Sequence, residues 1–207
     1  VVSTLCALTG RKTIVLSMPI KQIKSQHDLS VKHGNWLATK HKNIEYKLVD
    51  LEELFRSFEK TLNEFVNQHG FANSRARLRM ATLYQVAAAN SGIVVGTGNK
   101  VEDFGVGFYT KYGDGGVDIS PIADCTKTQV WELGKHLGIV KEIIDADPTD
   151  GLWNDGRNDV DQLGMNYEEL EKAMTNLNDP NYKKYLEIRK KNLHKINPIP
   201  VCKFDDL

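Results

Sequence analysis

Apolar positions along the chain fall into two alternating periods. Val1, Val2, Leu5 and Leu8 share one helical face, and Gly10 follows where a left-handed residue ends a helix. Thr13-Ile14-Val15-Leu16-Ser17-Met18-Pro19 is a short apolar, β-branched run, the pattern of a buried strand. A helix is predicted over 25–40, with Asp28 three residues after a capping Ser25. Residues 44–49 alternate as a strand does. Asp50 then caps an amphipathic helix through Leu51, Leu54, Phe55, Phe58, Leu62 and Phe65, ending near Gly70. A further helix over 72–90 feeds a strand at 92–96.

Downstream, the stretch from Gly96 to Ser120 is too long and too rich in glycine for a simple connection, and loops of that kind usually carry function. A helix is predicted over 126–137, with a Thr126…Gln129 capping box and Gly138 as its stop. Residues 145–164 are acidic and poorly periodic, which predicts a loop. Asn166 with Glu169 caps the next helix, and 179–193 forms the last. Strand and helix alternating in this order predict an α/β fold: a doubly wound parallel sheet with helices on both faces, three layers in all and Rossmann-like. No repeat or linker divides residues 1–207, so one domain is expected.

Lys and Arg balance Asp and Glu at 27 each, so no global field recruits nucleic acid or an anionic membrane. No apolar run reaches the ~20 residues that a bilayer span requires. Cys6, Cys125 and Cys202 are dispersed and have no CxxC spacing; they read as free thiols of a reducing cytoplasm.

In an open parallel sheet, ligands bind beyond the carboxyl ends of the strands. The most loaded strand end here is Gly96-Thr97-Gly98-Asn99-Lys100-Val101-Glu102-Asp103. Its glycines admit a close ligand, Thr97 offers a hydroxyl, and Glu102 and Asp103 offer oxygens for a hard cation such as Mg2+. A flexible turn with solvated charges accounts equally well for this piece alone. Tyr109-Thr110-Lys111-Tyr112-Gly113-Asp114-Gly115-Gly116-Val117-Asp118 follows, denser in glycine and charge than a turn requires. Arg75, Arg77 and Arg79 lie near a helix start, where cations oppose the dipole and an anionic ligand would offset the cost; a solvated basic face is the alternative. Trp36, Trp131 and Trp153 read as packing residues. Taken alone, a basic run such as 189–195 is usually solvated, and a lone His194 is more often structural than catalytic.

These segments, with Pro148-Thr149 and His194-Lys195, resemble the ammonia-dependent NAD synthetases in order and spacing, from Val1 to the Cys202-Lys203-Phe204-Asp205-Asp206 tail. That family belongs to the adenine nucleotide α-hydrolase-like group. The resemblance implies that ATP adenylates the nicotinate carboxylate of deamido-NAD, releasing pyrophosphate, and that ammonia then displaces AMP to give NAD. It implies Thr97, Lys127 and Thr149 at ATP, Glu102 at Mg2+, and Arg77, Lys111, Asp118, His194 and Lys195 at deamido-NAD. Asp114 is the candidate that binds or deprotonates ammonium. A homodimer sharing the deamido-NAD site is implied as well.

Two departures stand out. The family's Ser-Gly-Gly-x-Asp-Ser phosphate loop, with the strand before it, is expected just ahead of Val1, so a protein starting there is expected not to form the adenylate. Gly98-Asn99 and the Glu102–Lys111 spacing also differ from the Asp-His form of the motif, which leaves Glu102 less firmly placed than Lys111. Other adenylating ATP pyrophosphatases, such as GMP synthetases or tRNA-modifying ligases, keep the fold, but neither a glutaminase domain nor a basic RNA face is evident. The nitrilase-like domain of the glutamine-dependent NAD synthetases does not fit within 207 residues. A nucleotide-binding module without catalysis is the non-enzymatic alternative.

Overall fold

The computed structural model describes residues 1–153 and 155–204; Asp205 and Asp206 of the tail motif lie outside them. Helix α1 (Val2–Leu8) leads to strand β1 (Thr13–Ser17), helix α2 (Lys24–Lys40) and strand β2 (Ile44–Leu48). The two strands pair in parallel, Thr13 against Ile44 through Ser17 against Leu48, with α2 packed on both. This α/β unit closes over Ala7, Leu37 and Ile44. Gly10 takes φ +73° after α1, as its position predicts.

The expected strand at 92–96 is reduced to a single parallel bridge, Val95 with Ile119. The reason lies in a contact with a residue far along the chain. The Asp118 carboxylate accepts the Val94 N–H at 2.7 Å, taking a donor that strand pairing would otherwise use. Bonds from Gly96 N to Ile119 O and from Asp118 N to Val94 O still fasten the segment to the glycine-rich stretch.

Helix α3 (Glu52–Thr61) stops well before Gly70, and α4 (Gln68–Ala89) runs straight through that glycine. Asn67 caps α4 by accepting the Gly70 N–H at 2.7 Å, so Gly70 sits inside a helix start rather than at a stop. Phe65, expected on the apolar face, is exposed between the two helices. Phe55 is fully buried with Ile20 and Leu51, and Phe58, Phe71 and Leu78 pack against them, joining α3 and α4 to the end of β1. The first turn of α2 carries no side-chain cap, so the predicted Ser25 cap is not formed.

A π-helix (Lys100–Val106) breaks the expected glycine-rich loop. Helices α5 (Lys127–His136), α6 (Lys141–Ile144), α7 (Asp159–Leu163), α8 (Tyr167–Thr175) and α9 (Tyr182–Ile196) follow. Of these, α7 falls within the predicted loop at 145–164, started by an Asn158–Asp161 capping box. The Thr126–Gln129 and Asn166–Glu169 boxes form as the sequence predicts. Val101, Val106, Leu163, Met165, Tyr167, Leu170, Ala173 and Tyr185 build the largest core cluster, which packs the π-helix against α8 and α9. Among the described residues no helix is long and apolar enough to cross a membrane.

Candidate active site

The π-helix exists because of Asn99. Its side-chain oxygen accepts the N–H groups of Val101 and Glu102, both at 3.0 Å, which starts the turn directly after Gly96-Thr97-Gly98. Those glycines leave room that a side chain would take. A Cβ at Gly98 would lie 1.9 Å from Asp103 Oδ2, and one at Gly96 would lie 2.8 Å from Val117 Cγ2. The backbone can thus run close under the side chains of the next two segments.

Beside this turn opens a cavity of about 660 Å3, between α4, the 94–97 segment, the glycine stretch 108–117 and the end of α9. Arg77, Thr97, Lys111, Asp114, His194 and Lys195 all line it. Far apart in the chain, these residues meet because α9 is tied to the glycine stretch through its backbone. Lys111 Nζ donates to His194 O at 2.6 Å, Lys195 Nζ donates to Gly107 O and Tyr109 O at 2.9 and 2.8 Å, and Tyr109 Oη donates to Lys195 O. Arg77 Nε reaches Lys111 O at 3.3 Å from the opposite wall.

Asp114 accepts the Thr110 N–H at 2.9 Å, and Thr110 in turn bonds Asn73 of α4. The Asp114 carboxyl is open to solvent through the cavity mouth, yet protein surrounds it closely enough that burial raises its pKa. The backbone N–H of Thr110 and the Lys195 ammonium pull the other way. Lys195 is itself lowered by burial, against the attraction of Asp114 and Asp103. Burial, with Asp114 and Glu102 nearby, pushes the Asp103 carboxyl up to about 7. Asp114 at the wall and Asp103, which does not line the cavity, therefore both take a proton more readily than exposed carboxyl groups.

Glu102 and Lys127 lie off the cavity wall, paired to each other at 2.6 Å. Glu102 also accepts from Asn99 and from the Tyr167 hydroxyl, which contacts Asp159 as well. Asp118 spends its oxygens on Val94 N and Tyr84 Oη and does not line the cavity, although Val117 does. Thr149 hydrogen-bonds Arg157 O and Gly151 N within its own loop, next to Asp150, which lines the cavity.

The sequence reading missed several wall residues. Asp150, Leu152, Trp153 and Gln162 come from the expected acidic loop and close one side. Trp153 is no mere packing residue: it stacks with His69 at 6.1 Å between ring centroids, and both rings line the cavity. No short-range signal pairs two residues that distant. Arg79, the third arginine of its run, lines the cavity too.

Among the described residues no three His, Cys, Asp or Glu side chains could hold a metal by themselves. The buried Asp159 Oδ1 has no hydrogen-bond partner among them, one tyrosine hydroxyl away from Glu102. One or two carboxylates, with phosphate and water oxygens completing the shell, suit Mg2+; the open Asp159 oxygen fits such an ion, and Glu102 would fit it on releasing Lys127.

A family model described as NAD synthase matches residues 1–203. The NH(3)-dependent NAD(+) synthetase of Thermoplasma volcanium is 37% identical over 159 residues, 73% of this chain and 64% of that protein. That of Archaeoglobus fulgidus is 32% identical over 214 residues, covering 100% of this chain and 84% of its own length. The chain thus spans under two thirds of the Thermoplasma protein and 56% of the Carboxydothermus hydrogenoformans one. Among solved structures, NMN synthetase from Francisella tularensis superposes with a TM-score of 0.89 at 30% identity, covering 98% of this chain and 84% of that one. The NH3-dependent NAD synthetase from Campylobacter jejuni gives 0.71 at 25% identity, covering 98% and 83%.

Proposed function

The chain belongs to the NAD synthase family, and on that premise we propose that its protein amidates deamido-NAD with ammonia at the expense of ATP. The nicotinate carboxylate attacks the α-phosphorus of ATP, and the bond to the departing pyrophosphate breaks. Ammonia then adds to the carbonyl carbon of the mixed anhydride, AMP leaves, and the amide of NAD remains. The observation that carries this reading is the meeting of Arg77, Lys111, His194 and Lys195 with Thr97 and Asp114 in one cavity. Two polyanions have to be drawn together there, and cations at the wall offset their charge.

In this reading Arg77, Lys111, His194 and Lys195 hold deamido-NAD and Thr97 holds ATP from the wall. Asp118 joins at deamido-NAD, and Lys127 and Thr149 at ATP, by exchanging their present partners for the ligand. Glu102 would hold Mg2+, which supplies charge neutralisation at the phosphates. Asp114, its carboxyl made more basic by burial, binds ammonium and takes its proton. The Asp150–Trp153 side of the wall keeps water from the anhydride. We extend the reading to a cytoplasmic homodimer with a shared deamido-NAD site and a doubly wound, three-layer sheet. The free cysteines and the 0.89 superposition support the compartment and the architecture respectively.

That same superposition, closer than the 0.71 of the Campylobacter NAD synthetase, favours a second reading in which the acid substrate is nicotinate mononucleotide. The chemistry at the carboxylate is unchanged. One experiment tests both: the full protein is given ATP, Mg2+ and ammonium with either nicotinate nucleotide, and amide, AMP and pyrophosphate are followed. The larger kcat/KM selects the substrate. Absence of amide from both, with ATP still bound, overturns the ligase reading.

A further inference from the structure

The arginine run on α4 divides its work. Arg77 turns toward the glycine stretch and reaches Lys111 O. Arg79 turns the other way, to the carboxyl end of β1, where Nε donates to Met18 O at 2.9 Å and Nη2 to Gln22 Oε1 at 3.1 Å. Both acceptors are neutral. Arg79 Nη1 makes no hydrogen bond among the described residues, and the side chain lines the cavity. Arg56 faces Glu52 and Arg157 faces Asp155, whereas Arg189 also bonds only backbone carbonyls, of Phe104 and Gly105, but lies off this cavity.

A guanidinium held by two neutral oxygens keeps its full charge, and its planar fork is aimed by those two bonds. Its position matters as much. The carboxyl end of a parallel strand is where an open α/β sheet receives ligands, and Met18 directly follows β1. Among the described residues the wall around it carries four formal cations, Arg77, Arg79, Lys111 and Lys195, against two carboxyl groups, Asp114 and Asp150. Burial and the neighbouring Arg75 bring the Arg79 pKa down to about 10, so it remains charged at neutral pH while partly stripped of water. Asp114 acts on it through space without bonding it, and a desolvated, aimed guanidinium with no carboxylate in direct contact attracts an anion strongly.

We propose that Arg79 is a ligand-contacting residue that donates from Nη1 to a phosphoryl oxygen at the β1 end of the cavity, separate from the Arg77–Lys111 end. This rests on the cavity being a nucleotide site, and it adds a second anion-binding position to it. The phosphoryl group comes either from ATP or from the nicotinate nucleotide, and both present the same chemistry to the fork.

The test is equilibrium binding to the full protein, wild type against Arg79→Gln and Arg79→Lys, with thermal unfolding as the check on folding. The probes are ATP and adenosine in one arm, and nicotinate mononucleotide and nicotinate riboside in the other. Arg79→Gln is expected to weaken one phosphorylated probe about tenfold while its phosphate-free partner binds as before. The affected arm identifies the source of the phosphate. Arg79→Lys keeps the charge without the fork and should lose about threefold; it decides the matter if the Gln variant does not fold. Equal loss for phosphorylated and phosphate-free probes, or no loss in either arm, overturns the proposal. Wild-type protein that binds these nucleotides yet forms no amide would remove the ligase reading and leave this one standing.

Discussion

Lys127 Nζ lies 2.6 Å from Glu102 Oε1, with both side chains only 17% exposed, so the start of α5 is bonded to the π-helix by a largely desolvated ion pair. The pair is well supported. Asn99 and the Tyr167 hydroxyl also bond the carboxylate, and the Lys127 ammonium sits 4.6 Å from the centre of the Tyr167 ring. A buried pair gains little over an apolar one, but removing one partner leaves a charge that nothing compensates.

That asymmetry gives the first prediction. Lys127→Met should cost about 1–3 kcal/mol of stability in urea unfolding, since it strands the Glu102 charge. Glu102→Gln should cost less, because the amide still accepts from Tyr167. The double variant should be more stable than the sum of the single losses by about 1 kcal/mol. Additive losses would show that the two charges do not depend on each other.

A second prediction concerns the close approach of Gly98 to Asp103. A methyl group at Gly98 would stand 1.9 Å from the Asp103 carboxylate, so Gly98→Ala must push that side chain aside. The carboxylate is small and can move, which limits the loss to about 1–2 kcal/mol. In an Asp103→Ala background the same change should cost almost nothing. A loss of equal size in both backgrounds would place the strain in the backbone instead.

Much of this architecture is legible in the chain. Thr126–Gln129 and Asn166–Glu169 are local pairs three residues apart, and Gly10 and Gly138 at φ +73° and +66° need only their own backbone. What fails is decided at a distance. The 92–96 segment reads as a strand until Asp118, over twenty residues on, takes the Val94 N–H. Gly70 reads as a helix stop unless the cap on Asn67 is given more weight. The same holds for the cavity. Its glycine-rich wall shows in the sequence because backbone approach needs glycine, whereas the His69–Trp153 contact joins two segments with no local signal of each other.

The third prediction follows from the buried Asp103 carboxyl, whose pKa of about 7 lies well above that of an unfolded aspartate. The folded state holds the proton longer than the unfolded chain does, so ionisation works against folding. Stability contributed by the neutral form is complete below the unfolded value near 4 and falls as pH rises to about 7. Asp103→Asn should therefore unfold like the parent at acid pH and be more stable above pH 7, by up to roughly 4 kcal/mol and less to the extent that solvent screens the carboxylate. The difference should open across that window and stay level beyond it. A constant difference at every pH would mean that the proton on Asp103 is not involved.

Asp114 allows its chemical role to be separated from its structural one. Its Oδ1 accepts the Thr110 N–H at 2.9 Å, and an asparagine oxygen can do the same, so Asp114→Asn should preserve the turn. What the variant loses is the negative charge and the capacity to take a proton. If the carboxylate receives the proton of ammonium, amide formation at neutral pH should fall about a hundredfold, with KM for ATP changed little. The deficit should then shrink as pH rises, because free ammonia becomes abundant and no longer needs a base in the site. A purely structural residue predicts another pattern, in which the loss is the same at every pH and the KM for nucleotides rises with it. Initial rates of wild type and variant from pH 7 to about 9.5, at fixed total ammonium, separate the two. A pH-independent deficit would take the proton-acceptor role away from Asp114 and leave Asp103, the other carboxyl whose pKa is raised beside Lys195, as the next group to examine.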